Sequence, residues 1–213
     1  MTRPPLARRT MADGDGAPRV SVRPKAAASL ILIRQDADGP RYLMGRRADT
    51  LVFMPGYYVF PGGRLERGDR SDDVADPIHA GKIGPLARRL AACALRELTE
   101  ETGLILPLTT RLTFVARAIT PPGRIRRFDT RFFAAEVHAA FGQRHEIKPK
   151  DDELDPIGWF RPAEIPDDRL HLITRMVIDT VANRLGSKSG LASADHVIPC
   201  HRFRHGKPVV ETL

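Results

Sequence analysis

The sequence predicts an α/β fold in which a mixed sheet is sandwiched between helices. Three observations predict it. Apolar stretches of strand length recur as far as Phe160, two longer stretches carry helical periodicity, and the two kinds alternate irregularly, with an antiparallel-looking middle. The 213 residues suit one domain, large enough to bury about 70% of the unfolded surface.

Residues 1–24 are rich in Arg, Pro, Gly and Asp without periodicity and read as a disordered basic tail. Residues 25–34 (KAAASLILIR) read as a buried strand, 35–40 as a turn, and 41–47 (RYLMGRR) as the second strand of a hairpin. In 53–63 (FMPGYYVFPGG), prolines and glycines punctuate a loop and a short strand. Residues 64–84 are polar and acidic, and look like an insertion, about 70–84, ahead of a helix over 85–102. Residues 109–119 and 130–138 alternate as strands, and a charged loop over 146–156 leads to a short strand at 157–160. The apolar positions Leu172, Ile173, Met176, Val177 and Val181 predict a helix over 170–185, and 186–190 ends it. Residues 25–186 therefore form the expected domain, and 187–213 a basic C-terminal extension with a possible strand near Val209.

Composition excludes several classes. The longest apolar run, 26–33, is too short to span a membrane, and the first 25 residues lack the apolar segment of a secretory leader. Two cysteines, Cys93 and Cys200, make no disulfide framework, so the expected compartment is the reducing cytoplasm. A net charge of +8 suits anionic partners, but no nucleic-acid-binding pattern accompanies it, and a dedicated nucleic-acid role is not expected. The segment from His196 to His205 is dense in Cys and His, as zinc sites are, yet the density reads as coincidence.

The chemistry concentrates at the end of the first helix. On a helical wheel with Glu97 at zero, Glu100 falls near 300° and Glu101 near 40°, so three carboxylates share an arc of about 100°. Ala91, Leu95, Leu98 and Thr102 cluster near 120°, a core-facing stripe. Like charges at these spacings repel by about 0.2–0.5 kcal/mol per pair, and acids in a last turn oppose the helix dipole. Gly103 marks that turn as the last. Without a partner this is a solvated acidic face; a divalent cation would convert the repulsion into coordination.

The residues Arg96-Glu97-Leu98-Thr99-Glu100-Glu101-Thr102-Gly103-Leu104 match the second half of the Nudix box, and Phe60-Pro61-Gly62-Gly63 supplies the first half. The sequence thus resembles the Nudix hydrolase superfamily, with a box split by the insertion. Asp69 stands where the family pattern wants Glu six positions after the glycine. The resemblance implies a Nudix-type α/β/α sandwich and water attack on a nucleoside diphosphate linked to another moiety. It implies Mg²⁺ or Mn²⁺ held by Gly63, Glu97, Glu100 and Glu101. Arg96 then orients the glutamates, and Glu153, in the loop before Trp159, stands where relatives place a catalytic carboxylate. Arg47, Gly62, Gly63 and Arg124 are the expected substrate contacts. The partner implied is a small nucleotide diphosphate, with a homodimer as the assembly of many relatives.

A narrower resemblance, to coenzyme A-cleaving Nudix enzymes, rests on Leu43, Arg47, Gly56 and the FPGG run at matching spacing. Ala48 and Val52 depart from it, where that segment carries Ser and Arg. ADP-ribose or NADH is the alternative substrate, and a catalytically idle fold binding nucleotide or RNA the alternative role.

Overall fold

The computed structural model describes residues 22–138, 141, 147–148 and 153–213. The expected tail over 1–24 lies almost wholly outside them, as do 146 and 149–152 of the expected loop over 146–156, whose end from Leu154 onward is already strand.

β1 (Lys25–Asp36) is the axis of the sheet. Its apolar run is unbroken because both faces are covered: Leu30 and Leu32 point into one core, Ile31 and Ile33 into the other. Along one edge β1 pairs in parallel with β6 (Phe128–Val137). Two partners share its other edge, β4 (Gly62–Arg64) against Ala27–Ser29 and β2 (Gly39–Arg47) against its C-terminal end, both antiparallel. The turn between β1 and β2 is shorter than the composition suggests, only Ala37 and Asp38 lying outside the strands.

β2 carries β3 (Tyr58–Val59) and β7 (Leu154–Phe160); β6 carries β5 (Thr113–Ile119), antiparallel. The C-terminal extension joins this sheet. It forms a hairpin of β8 (Pro199–Arg204) and β9 (Lys207–Thr212), and β8 pairs in parallel with β5.

A one-turn helix, α1 (Ala80–Ile83), lies within the polar segment 70–84. α2 (Ala87–Thr102) covers one sheet face with Leu90, Ala91, Leu95 and Leu98, and Gly103 ends it in the left-handed conformation, φ 74°. α3 (Leu172–Leu185) covers the other face with Val177, Ile178 and Val181. The sandwich of helix, mixed sheet and helix is the fold the sequence predicts. No helix among the described residues is long and apolar enough to cross a membrane.

Candidate active site

Pairing of β4 with β1 lays Gly62 and Gly63 beside the last turns of α2. The Gly62 amide donates to Glu101 Oε2 at 2.8 Å. Glu101 is only 4% exposed, and burial pushes its carboxyl well above the ordinary range. The Gly62 amide and the Arg47 charge oppose that shift, while Glu97 and Glu153 reinforce it. Glu97 packs against Gly63 so closely that a Cβ there would stand 2.3 Å from its Oε1. Burial raises the Glu97 carboxyl too, against the pull of Arg96. Only a glycine leaves room for a carboxylate at this distance.

Arg96 ties the acids together. Its Nη1 meets Glu97 Oε1 at 2.8 Å and Glu100 Oε2 at 2.7 Å, and its Nε donates to Asp69 Oδ1 at 2.7 Å. The Asp69 side chain is 1% exposed and also accepts from the Glu66 amide at 2.7 Å. Asp69 thus touches Arg96 although 26 residues separate the two in sequence. The segment after Asp69 is pinned on both sides. Arg89 donates to the carbonyls of Asp69 and Glu66, at 3.0 and 2.8 Å, and Ile78 bridges to Thr113 at the start of β5.

Arg47 and Glu153 meet at 2.9 Å, and Arg47 Nε donates to the Phe53 carbonyl at 2.8 Å. Glu153 lies near enough to Glu97 and Glu101 to raise both their pKa values, so five of the expected residues, with Gly62 and Gly63, form one electrostatic neighbourhood. Glu100 joins it through Arg96. Arg124 does not: it is exposed on the loop between β5 and β6, and its charge acts on His171 at the start of α3.

Two supporting residues escape sequence reading. Ser29 Oγ donates to the Pro61 carbonyl at 3.0 Å, and the Cys93 thiol donates to the Arg64 carbonyl at 3.4 Å. Burial pushes that thiol up to about 12, so it is a packed hydrogen-bond donor rather than a nucleophile. Cys93 lies one turn before Glu97, but only the register of β4 reveals what it holds. At the other end of the chain, Cys200 and His201 are consecutive on β8, so they face opposite sides of the sheet and cannot share a metal ion.

Glu97, Glu100, Glu101 and the Gly63 carbonyl are hard oxygen donors, and a divalent cation would relieve the repulsion between Glu97 and Glu101; the set fits Mg²⁺ or Mn²⁺. Among the described residues no three acidic, His or Cys side chains form a preformed cluster; Arg96 and Gly62 hold the carboxylates instead.

The profile of the NUDIX domain matches residues 23–180. None of the curated proteins matches the sequence. Among solved structures, the chain is similar to a NUDIX hydrolase from Alicyclobacillus acidocaldarius, at 26% identity and a TM-score of 0.62, over 75% of this chain and 92% of that one. It is similar in fold to a MutT NUDIX hydrolase from Burkholderia pseudomallei (18% identity, TM-score 0.53, 75% and 99% covered). The NUDIX domain of Shewanella oneidensis NrtR, complexed with ADP ribose, shares the fold as well (14%, TM-score 0.54, 80% and 94% covered). A match spanning most of the length, with the hydrolase likeness beside it, makes the chain a member of the Nudix family and a Nudix hydrolase.

Proposed function

We propose that this hydrolase cleaves the diphosphate of a nucleoside diphosphate linked to a second moiety, at the site built by Glu97, Glu100 and Glu101. The observation that carries the reading is the approach of Gly62 and Gly63 to Glu101 and Glu97, which leaves no side chain between the loop and the carboxylates. We infer equally that the two halves of the box work together across the insertion, an inference supported by the Asp69–Arg96 pair.

Nudix hydrolases generally require a divalent metal, and Mg²⁺ or Mn²⁺ would here neutralise diphosphate oxygens and activate water. Gly63, Glu97, Glu100 and Glu101 would hold it. Arg96 positions Glu97 and Glu100 and is itself braced by Asp69. Arg47 orients Glu153, which takes the proton of the attacking water. The Gly62 and Gly63 backbone, Arg47 and Arg124 contact the substrate.

Coenzyme A or an acyl derivative is the first candidate, on the segment from Leu43 to Gly63. ADP-ribose or NADH is the second, favoured by Ala48 and Val52 at the two departures from that segment. The test is a panel of coenzyme A, acyl-coenzyme A, ADP-ribose, NADH and dinucleoside polyphosphates with the full chain and Mg²⁺ or Mn²⁺. One member is expected to turn over; no turnover of any by the folded protein would overturn the reading. Glu101→Gln should abolish turnover while raising the metal-free melting temperature by about 2–4 °C per kcal/mol of buried charge removed. It keeps an oxygen for the Gly62 amide, so a lowered melting temperature would refute the burial argument.

A further inference from the structure

Beside Arg47 the surface has a feature that diphosphate chemistry does not use. Three segments meet there: the loop 48–57 after β2, the loop 120–127 after β5, and the start of α3. The Phe53 ring stands edge-on to Phe128 at 5.2 Å and Tyr57 edge-on to His171 at 5.8 Å, while Arg124 acts electrostatically on His171. Each segment carries, next in sequence to one of these residues, a branched aliphatic side chain turned to solvent. Val52 is 70% exposed, Ile125 87% and Leu172 55%. Scattered apolar residues on a surface are ordinary; three on segments gathered around the Phe53–Phe128 and Tyr57–His171 ring contacts, beside a catalytic cluster, point to an occupant.

The neighbourhood says which occupant. The rim is continuous with the site, because the guanidinium that pairs with Glu153 also holds the Phe53 carbonyl at 2.8 Å. Arg124 and Arg126, on the loop 120–127, are exposed, which suits an anionic ligand more than an apolar protein face. The open side chains are aliphatic, and they gain by covering hydrocarbon rather than by stacking a base.

We propose that this rim receives an aliphatic arm carried beyond the diphosphate of the substrate, so that the enzyme selects nucleoside diphosphates by the hydrocarbon length of the attached moiety. The inference rests on the hydrolase site being the one proposed above, and it is tested without turnover. Binding of the methyl, butyl and octyl β-esters of ADP to the full chain is measured by calorimetry with Ca²⁺ in place of Mg²⁺ or Mn²⁺, with ADP-ribose as the polar comparison. Affinity should rise about two- to fourfold per methylene, the range between half and full burial. Val52→Ser with Ile125→Ser should flatten the series and leave ADP-ribose binding unchanged. Equal affinity across the series in the wild-type chain would overturn the inference. So would a concentration-dependent dimer that Ile125→Ser dissolves, since a second copy would then be the occupant. Failure of every diphosphate to turn over with Mn²⁺ would remove the hydrolase reading alone, because the binding series is read separately.

Discussion

At Gly62 an added Cβ would stand 2.6 Å from the Ala28 carbonyl oxygen and 2.7 Å from Ser29 Cα, both backbone atoms of the central strand that cannot yield. At Gly63 the three atoms nearest to it would all belong to the Glu97 carboxylate, the end of a side chain that can swing away. The neighbours therefore separate stability from activity. Gly62→Ala should lose about 2 kcal/mol by urea unfolding, whereas Gly63→Ala should stay folded and lose turnover about a hundredfold. Equal stability of the two variants would contradict the geometry. Protonation gives a second prediction at this scale. Burial holds the imidazoles of His79, His171 and His201 below their ordinary 6.5. Between those depressed values and 6.5 the unfolded chain binds more protons than the fold, so stability rises with pH there and falls as pH drops from 7 towards 5. Neither ring nitrogen of His201 has a hydrogen-bond partner in the described structure. His201→Leu should accordingly flatten the slope of unfolding free energy against pH; an unchanged slope would acquit that residue.

At the scale of elements, the helix was the most legible part of the chain. The stripe of Ala91, Leu95, Leu98 and Thr102 is buried as the wheel requires, and Gly103 ends the helix with its amide on Thr99. The wheel also put Glu101 beside the stripe, at 40°, but not how deeply it sinks; that follows from β4 pairing with β1, a contact set by register and invisible in periodicity. The polarity of residues 70–84 is legible in the sequence. The attachments of that segment are not, because single hydrogen bonds to distant carbonyls leave no pattern in sequence. Arg89→Ala would free the Asp69 and Glu66 carbonyls and loosen the carboxylate that braces Arg96. A loss of about 1–2 kcal/mol in thermal stability, with a several-fold fall in turnover, is expected. Unchanged turnover would show that the insertion does not support the site.

For the whole molecule, the largest difference between expectation and structure is the C-terminal extension. Its basic, Cys- and His-bearing sequence has too short an apolar alternation to announce a hairpin, apart from the hint near Val209. Yet Ile198 and Cys200 are core residues, and β8 closes the edge of β5. Arg184, 4% exposed, is held entirely by carbonyls, Val115 at 3.1 Å and Val197 at 2.9 Å among them, and burial lowers it to about 10. A chain ending after Gly186 would lose the Val197 carbonyl and leave a buried cation short of partners. It should lie at least 10 °C lower in melting temperature or fail to fold; a melting temperature within 2 °C of the full chain would show the hairpin to be dispensable.

The two-sided pairing of β1 reaches further than architecture. With β6 along one edge and β4 and β2 along the other, that strand has no free edge from which to fray. Opening at its centre requires the whole sheet to come apart, and the glycine pair laddered to Ala28 and Ser29 shares that cooperative unit. The half of the site that faces phosphate is then as rigid as the fold itself. Any adjustment to different substrates falls to segments outside the unit, the loops 48–57 and 120–127, which can change sequence without the molecule unfolding.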